Sequence, residues 1–209
     1  MAFTPKYEKL IEQRRTELQA QIAAFTSPGQ IVLEVGSGHG HFLTAYAAAH
    51  PNRVCVGIDL IGERIERATK KRDRAKLSNL HFIQAEARLF LATLPESVRL
   101  TAIYVLFPDP WPKLRHNKHR ILQPAFLASL ARAAEPDCPL FFRTDFQPYF
   151  DVVAETIAAD AVWRRSEEPW PFEVQTVFQQ RAEGFHSLVA RCKKPAVTHK
   201  FASAAINAD

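Results

Sequence analysis

Cysteine is scarce in this chain, and its distribution excludes a disulfide framework. The 209 residues contain three cysteines, Cys55, Cys138 and Cys192, which lie far apart and within or beside apolar runs. An odd number of separated thiols is typical of buried, reduced side chains in a reducing compartment. No apolar stretch is long enough for a membrane-spanning helix, and the first twenty-five residues alternate charged and apolar groups, unlike a secretory signal. We therefore expect a cytoplasmic protein.

Two kinds of reactive site are also missing. No Gly-x-Ser-x-Gly elbow occurs and no cysteine has an evident base partner, so nothing supports catalysis by a protein nucleophile. His116 and His119 are three residues apart, a spacing found in metal sites, but no third ligand lies nearby in sequence. The sequence therefore predicts no metal centre.

The composition, with 47% hydrophobic and 23% charged residues, is that of an ordinary globular domain long enough for one sizeable core. A net charge of +5 is compatible with a polyanionic partner without proving one. The positive charge is clustered in residues 70–76 and 113–120. A solvated helix face is the simpler explanation of any single cluster.

Short apolar segments alternate with helical patterns along most of the chain. The predicted strands comprise residues 31–35, 54–58, 80–83, 100–106 and 140–143, and the predicted helices residues 6–24, 41–49, 61–76, 88–94, 123–133 and 146–158. Around residues 162–163, 176–180 and 186–192 the pattern is that of antiparallel strands. This order predicts an α/β fold with a doubly wound, mostly parallel, seven-stranded sheet and an antiparallel C-terminal strand pair. We expect one domain over residues 1–195, beginning with a leader helix, and a flexible tail over residues 196–209.

A glycine-rich turn, Gly36 to Gly40, joins the first predicted strand to the helix that follows. Gly36 and Gly38 would let the backbone approach a ligand closely, and Asp59, after the second strand, suits a carboxylate that accepts ribose hydroxyls. Glu34, just before the turn, would repel a phosphate but could anchor an ammonium group. Glu86, after the third strand, could contact an adenine amino group or could simply be a first-turn helix acid. The two explanations of Glu86 are about even.

Three prolines at alternate positions stiffen the segment Phe107-Pro108-Asp109-Pro110-Trp111-Pro112-Lys113, which follows the fourth predicted strand. Each proline fixes its own φ and disfavours the helical region for the residue before it, so we expect Phe107, Asp109 and Trp111 to be extended. Such a loop would present an acid, an aromatic ring and a cation at fixed relative positions. The basic residues that follow it favour a binding site over a plain surface turn.

A second acid, Asp145, follows the fifth predicted strand and would lie at the same sheet edge as Asp109. It could contact a ligand, or it could be a plain N-cap of the next helix, since aspartate is a good capping residue. The proline segment, the Arg-His-Asn-Lys run at 115–118, Thr144-Asp145 before Pro148-Tyr149, and Thr176 with Phe178 together resemble the bacterial tRNA (guanine-N7)-methyltransferases.

The resemblance extends from about residue 31 to residue 191 and implies the Rossmann-like class I fold, S-adenosyl-L-methionine as cofactor and tRNA as partner. It implies a cofactor site formed by Glu34, Gly36, Gly38, Gly40, Asp59, Glu86 and Asp109, with Asp109 also catalytic. It implies a substrate site formed by Lys113, Asp145, Thr176 and Gln179. The chain departs from the family pattern at Gln179, where glutamate is usual, at Glu86, where aspartate or asparagine is usual, and at His119, where arginine is usual.

Guanine N7 has a free lone pair, so the implied reaction needs alignment with the methyl donor rather than a general base. A carboxylate that accepts from N1–H and the exocyclic amine would bind the transition state more tightly than the ground state. Asp109 and Asp145 both remain candidates for that role. As a separate hypothesis, Arg115, Lys118 and Arg120 would contact RNA phosphates.

Other functions on the same scaffold stay open. The chain could methylate another RNA, a protein or a small molecule, because a fold does not specify a substrate. It could also be a non-catalytic RNA-binding module, for which Gln179 is the argument. A nicotinamide oxidoreductase is disfavoured, because His41 occupies the position of the third glycine in the dinucleotide fingerprint.

Overall fold

Helices and strands alternate through the computed structural model, which describes residues 5–23, 29–174 and 184–194. The helices are α1 (Pro5–Ala23), α2 (His41–Ala49), α3 (Gly62–Arg74), α4 (Ala87–Thr93), α5 (Pro124–Ala133) and α6 (Gln147–Ala158), with a short 3₁₀ helix at Leu114–His119. The strands are β1 (Gln30–Val35), β2 (Val54–Asp59), β3 (Leu80–Gln84), β4 (Arg99–Leu106), β5 (Pro139–Thr144), β6 (Trp163–Ser166) and β7 (His186–Cys192).

The strands form one seven-stranded sheet in the order β3-β2-β1-β4-β5-β7-β6. Strands β1 to β5 are parallel to one another, whereas β7 runs antiparallel to both β5 and β6. The predicted doubly wound sheet with an antiparallel C-terminal pair is therefore confirmed. The strand order reverses between β1 and β4, and ligands of such sheets bind beyond the carboxyl ends of the strands at that switch point.

Apolar side chains cover both faces of the sheet, because successive residues of a strand point to opposite sides. From β4, Ile103 packs with the layer of α1, α4, α5 and α6, and Tyr104 packs with α2 and α3. Leu18 and Ile22 of α1 are buried, as the spacing of the leader helix predicts, whereas Leu10 is 43% exposed.

The predicted boundaries differ from the observed ones by a few residues. Helix α3 ends at Arg74 rather than at residue 76, and Lys76 has a left-handed φ of 54°. The predicted strand at residues 176–180 and the predicted tail at 196–209 lie outside the described residues. Within the described ranges, no helix is both long and apolar enough to cross a bilayer.

All three cysteines are buried and free, as their isolated positions predict. Burial raises the pKa of the Cys55 thiol to about 12, and burial also raises the pKa of Cys138 and Cys192. A thiol with a raised pKa in an apolar environment is unreactive. The cysteines therefore contribute to packing rather than to chemistry.

Candidate active site

The parallel strands bring five of the predicted acids to one edge of the sheet. Because β1 to β5 run in the same direction, the residues at or just after their carboxyl ends meet there. In the order of the sheet these acids are Glu86 after β3, Asp59 at the end of β2, Glu34 near the end of β1, Asp109 after β4 and Asp145 after β5. Residues separated by up to 111 positions in sequence thus form one row across the switch point.

The glycine turn after β1 is a tight, left-handed bend. Gly36, Gly38 and Gly40 have φ values of 75°, 52° and 69°, and the Gly36 amide donates to the Ile58 carbonyl at 2.8 Å. A Cβ placed on Gly36 or Gly38 would meet no atom within 4 Å, whereas one on Gly40 would lie 2.5 Å from the Phe82 ring. The first two glycines therefore leave open space for a ligand, and the third is needed for packing.

Asp59 is built into this turn. One carboxylate oxygen accepts from the Gly38 amide at 3.0 Å and the other from the Ile61 amide at 2.9 Å, while the Arg64 guanidinium lies 3.7 Å away. A carboxylate offers about four lone-pair directions, so these contacts leave acceptor capacity toward a ligand. Asp59 thus fixes the shape of the turn and keeps an unused acceptor.

Glu34 is a buried carboxylate with an unsatisfied oxygen. The residue is 3% exposed, and its Oε2 finds no hydrogen-bond partner within the part of the chain that the structure describes. Burial, and then the charge of Asp59, raise the pKa of Glu34 well above 4.5, and a backbone hydrogen bond from Leu43 opposes them. An unpaired buried carboxylate is costly. A cationic group bound at the turn would compensate it.

Glu86 proves to be the N-cap of α4. Its carboxylate accepts from the Leu89 amide at 2.8 Å and lies 3.4 Å from the Arg88 guanidinium. These contacts are the ones expected if Glu86 is a helix acid, because its carboxylate satisfies a first-turn amide that has no partner within the helix. The side chain is 41% exposed, so the cap does not prevent a ligand contact at the end of β3.

The prediction that Phe107 and Trp111 are extended is wrong. Their φ values are 49° and 45°, in the left-handed region, which costs about 1–2 kcal/mol for a residue with a Cβ. Tertiary contacts outweigh this preference: the Phe107 amide donates to the Arg143 carbonyl at 2.8 Å, and the Trp111 ring lies 4.9 Å from the His119 ring. The loop bends at both residues, and Asp109 between them is exposed.

Arg120 also departs from its prediction as a phosphate contact. It is 2% exposed; its Nε donates to the Pro110 carbonyl at 2.9 Å and its Nη1 to the Pro148 carbonyl at 3.4 Å. Its guanidinium lies 4.8 Å from the centre of the Tyr149 ring. Arg120 therefore ties the proline loop to α6, because a side chain this buried has no access to RNA.

The other basic residues of this segment face solvent. Lys113, Arg115 and Lys118 are exposed in and beside the 3₁₀ helix, which the sequence analysis did not predict. Arg115 Nε lies 3.2 Å from the His116 ring nitrogen. These three cations remain accessible to an anionic partner. Among the residues described, no group of three or more histidine, cysteine or acidic side chains could hold a metal ion.

At the end of β5, Asp145 is exposed and does not cap α6. The N-cap residue is Phe146, which makes no capping bond through its side chain, and the Phe146 amide donates to Thr144 Oγ1 at 3.2 Å. The N-cap alternative for Asp145 is therefore wrong, and its carboxylate is available at the edge. Thr176 and Gln179 lie outside the described residues, so the structure says nothing of their positions.

Arg143, which the sequence analysis missed, holds in place the residues that pack next to the end of β5. It is 4% exposed, and its two terminal nitrogens donate to the Glu173 carboxylate at 2.8 and 2.9 Å. Its guanidinium lies between two rings, 3.9 Å from the centre of Trp170 and 4.4 Å from that of Phe185. Arg143 thereby anchors residues on both sides of 175–183. No local motif marks it, because its partners are 27 or more positions away.

Comparison with known proteins identifies relatives over most of the chain. A family model described as "putative methyltransferase" matches residues 28–196. The chain is 30% identical over 174 residues to a tRNA (guanine-N(7)-)-methyltransferase of Caulobacter vibrioides, an alignment that covers 78% of this chain and 75% of that protein. It is 39% identical over 127 residues to a protein of the same name from a Synechococcus species, covering 61% and 52% respectively.

Among solved structures, the fold is similar to that of a mutant 16S rRNA (adenine(1408)-N(1))-methyltransferase from Catenulisporales acidiphilia. The TM-score is 0.56 at 18% identity, and the match covers 93% of this chain and 94% of that one. At this identity the likeness establishes the fold alone. The row of acids and the open glycine turn agree with that architecture.

Proposed function

This chain belongs to the tRNA (guanine-N7)-methyltransferase family, and we propose that it transfers a methyl group from S-adenosyl-L-methionine to N7 of a guanine in tRNA. We also propose a cytoplasmic location, which the activity of the family supports, and the resemblance implies a guanine in the variable loop. The observation that carries the proposal is the buried Glu34 carboxylate, whose Oε2 has no hydrogen-bond partner among the described residues. It lies beneath an open glycine turn, in a row with Asp109 and Asp145.

The residues around the turn fit this cofactor. Within the described ranges Glu34 Oε2 has no hydrogen-bond partner, and the ammonium group of the methionine moiety would provide both a donor and a counter-charge. Gly36 and Gly38 leave room beside the backbone, and Asp59 and Glu86 would accept from the ribose and the adenine amine. When bound, the cofactor supplies an electrophilic methyl group on a sulfonium. No phosphate has to be accommodated, which agrees with the negative charge of the site.

Asp109 and Asp145 then act on the guanine. Both are exposed after neighbouring strands, so a base lying across the β4–β5 end can meet both carboxylates. As N7 gains the methyl group, positive charge spreads over the purine and N1–H becomes more acidic. A carboxylate that accepts a hydrogen bond from N1–H therefore stabilises the transition state more than the ground state. We assign Asp109 to the reacting centre and Asp145 to orientation of the base.

The same pair of acids would reject adenine, which lacks the N1–H and exocyclic donor pattern of guanine. A good bidentate contact discriminates between bases by about 1–3 kcal/mol. Lys113, Arg115 and Lys118 would hold phosphates next to the loop, and Thr176 and Gln179 complete the proposed substrate site. No general base is needed, since the N7 lone pair is free.

The first test is methylation of unmodified tRNA with labelled cofactor, followed by mapping of 7-methylguanosine through cleavage at that nucleotide. Calorimetry with S-adenosyl-L-methionine separates an enzyme from a non-catalytic RNA-binding module, because the module need not bind the cofactor. The proposal fails if the wild-type protein binds cofactor and tRNA but produces no 7-methylguanosine.

Asp109→Asn tests the assigned chemistry. It should lower the single-turnover rate at saturating cofactor by roughly 10²–10³, the usual loss for one preorganised electrostatic group. Cofactor affinity is measured separately, because the resemblance also implies a cofactor contact for Asp109. The matched control is Glu155→Gln, an exposed acid late in α6 and away from the row, which should react at the wild-type rate. An unchanged rate for Asp109→Asn would remove that residue from the reaction.

A further inference from the structure

A second cluster of positive charge lies beside the glycine turn, on the face of the sheet covered by α2 and α3. It surrounds an open depression of about 290 Å³. The lining consists of His39, His41, Arg67, Lys70, Lys71 and Arg74. We call these six residues the α3 basic cluster. No carboxylate is among them, and none of them belongs to the proposed catalytic row.

The fold brings these cations together from two segments. Arg67, Lys70, Lys71 and Arg74 follow helical spacing and so share one face of α3. The turn abuts this helix closely, since a Cβ on Gly40 would lie 2.9 Å from the Ala68 Cβ. Lys71 Nζ donates to the His39 carbonyl at 3.0 Å, which holds both histidines against the helix. The cluster is therefore a defined surface.

Part of the positive charge is not neutralised by the protein. Arg67 and Lys70 pair with glutamates one turn earlier, at 2.5 Å each. Lys71 and Arg74 donate only to backbone carbonyls in the contacts seen for the described chain. Burial, and then repulsion from the neighbouring Arg74, lower the pKa of Lys71. An anion would relieve this repulsion.

The helix dipole accounts for only part of the pattern. Cations stabilise the last turn of a helix, which explains Lys71 and Arg74. It does not explain Arg67 a turn earlier, or His39 and His41 on a different element. The lining side chains are four cations and two imidazole rings, with no carboxylate, amide or hydroxyl among them. Their chemistry suits phosphodiester oxygens rather than nucleobases.

We propose that the α3 basic cluster is a second docking site for the phosphate backbone of the tRNA, distinct from the Lys113–Lys118 segment. The proposal rests on the proposed function, because the site lies beside the turn at the same edge as the catalytic row. An RNA whose guanine reaches Asp109 is long enough to extend over α3. Two separated contacts would fix the orientation of the RNA, which one basic segment cannot do alone.

The test is the salt dependence of tRNA binding by the full chain carrying Lys71→Glu and Arg74→Glu. Loss of two phosphate contacts should reduce the slope of log K against log salt by about 1.4–1.8 and weaken binding at least tenfold. The matched control is Arg164→Glu with Arg165→Glu, the same charge change on exposed residues of β6, at the opposite edge of the sheet. The control should keep the wild-type slope.

Each outcome decides the matter. Arg74→Glu alone leaves the Lys71 contact to the turn intact, so a reduced slope in this variant with unchanged cofactor affinity supports direct docking. An unchanged slope in Arg74→Glu, whatever the double variant does, or an equal loss in the β6 control, overturns the proposal. If the wild-type protein fails to methylate tRNA, the proposed function fails, and that result is separate from either slope.

Discussion

Replacing Arg120 with methionine tests whether a buried cation positions the catalytic loop. Methionine keeps an unbranched apolar stem of similar length but removes the donors to the carbonyls of Pro110 and Pro148. It also removes the guanidinium above the Tyr149 ring. Within the described residues, the partners seen for Arg120 are carbonyls and rings rather than carboxylates, so the substitution leaves no buried acid unpaired.

The expected loss of stability follows from these contacts. A hydrogen bond from a charged group contributes about 1.5–3 kcal/mol, and a desolvated cation–π contact contributes up to about 2 kcal/mol. Part of this sum is offset, because the variant no longer bears the desolvation cost of the buried Arg120 charge. We expect a net loss of about 2–3 kcal/mol in the free energy of unfolding, which corresponds to a fall of about 4–12 °C in Tm for a chain of this size.

The activity should fall for a separate reason. The Pro110 carbonyl follows Asp109 directly, so the loop that holds this carboxylate loses its tie to α6. Single-turnover rates measured well below the lower Tm should drop, by up to about 10²-fold for a displacement of order 1 Å, while cofactor affinity is retained. Arg120→Lys should restore part of the rate, and Arg132→Met, an exposed arginine on α5, should have no effect. A wild-type rate in folded Arg120→Met protein would refute the positioning role.

Two further predictions concern the glycine turn. Gly40→Ala should destabilise the fold by about 2–4 kcal/mol in urea unfolding, because its Cβ would overlap the Phe82 ring and its φ is positive. Gly38→Ala, which has open space around it, should cost only about 1–2 kcal/mol. Equal losses in the two variants would contradict the packing argument. The folded-state pKa of Glu34 is raised, so the folded chain holds the carboxyl proton of Glu34 more tightly than the unfolded chain does. The stability of the cofactor-free protein should therefore fall as the pH rises above 4.5 toward the folded pKa. Glu34→Gln should remove that fall, and a variant with the wild-type pH dependence would show that Glu34 does not cause it.

The sheet and the row of acids were predictable from local patterns. Apolar runs of strand length, each followed by a glycine or an acid, specify both the strand and the edge at which its last residue lies. Gly36, Asp59 and Asp109 could therefore be assigned to one site before their positions were known. Because the strands are parallel, their carboxyl ends lie at the same edge of the sheet, although they are distant in sequence.

The failures share one physical cause, which is tertiary contact. Proline chemistry alone favours an extended Phe107, but the ladder bond to Arg143 and the packing of its ring outweigh that preference. A basic run suggests a phosphate-binding surface, yet one of its members, Arg120, is directed inward by carbonyls 10 and 28 positions away. Residue types and their spacing in the sequence do not reveal which residues will come into contact in the folded chain.

Two buried ionisable side chains, one basic and one acidic, lie at this edge, and no ion pair joins them among the contacts described. Arg120 is satisfied within the protein, through carbonyl oxygens and an aromatic ring, so its environment needs nothing from a ligand. Glu34 has an unsatisfied oxygen and a raised pKa, so the free protein bears a cost there. A cation that binds only the folded form recovers that cost as affinity. Glu34 therefore distinguishes the free from the loaded protein, whereas Arg120 holds the loop in the same way in both.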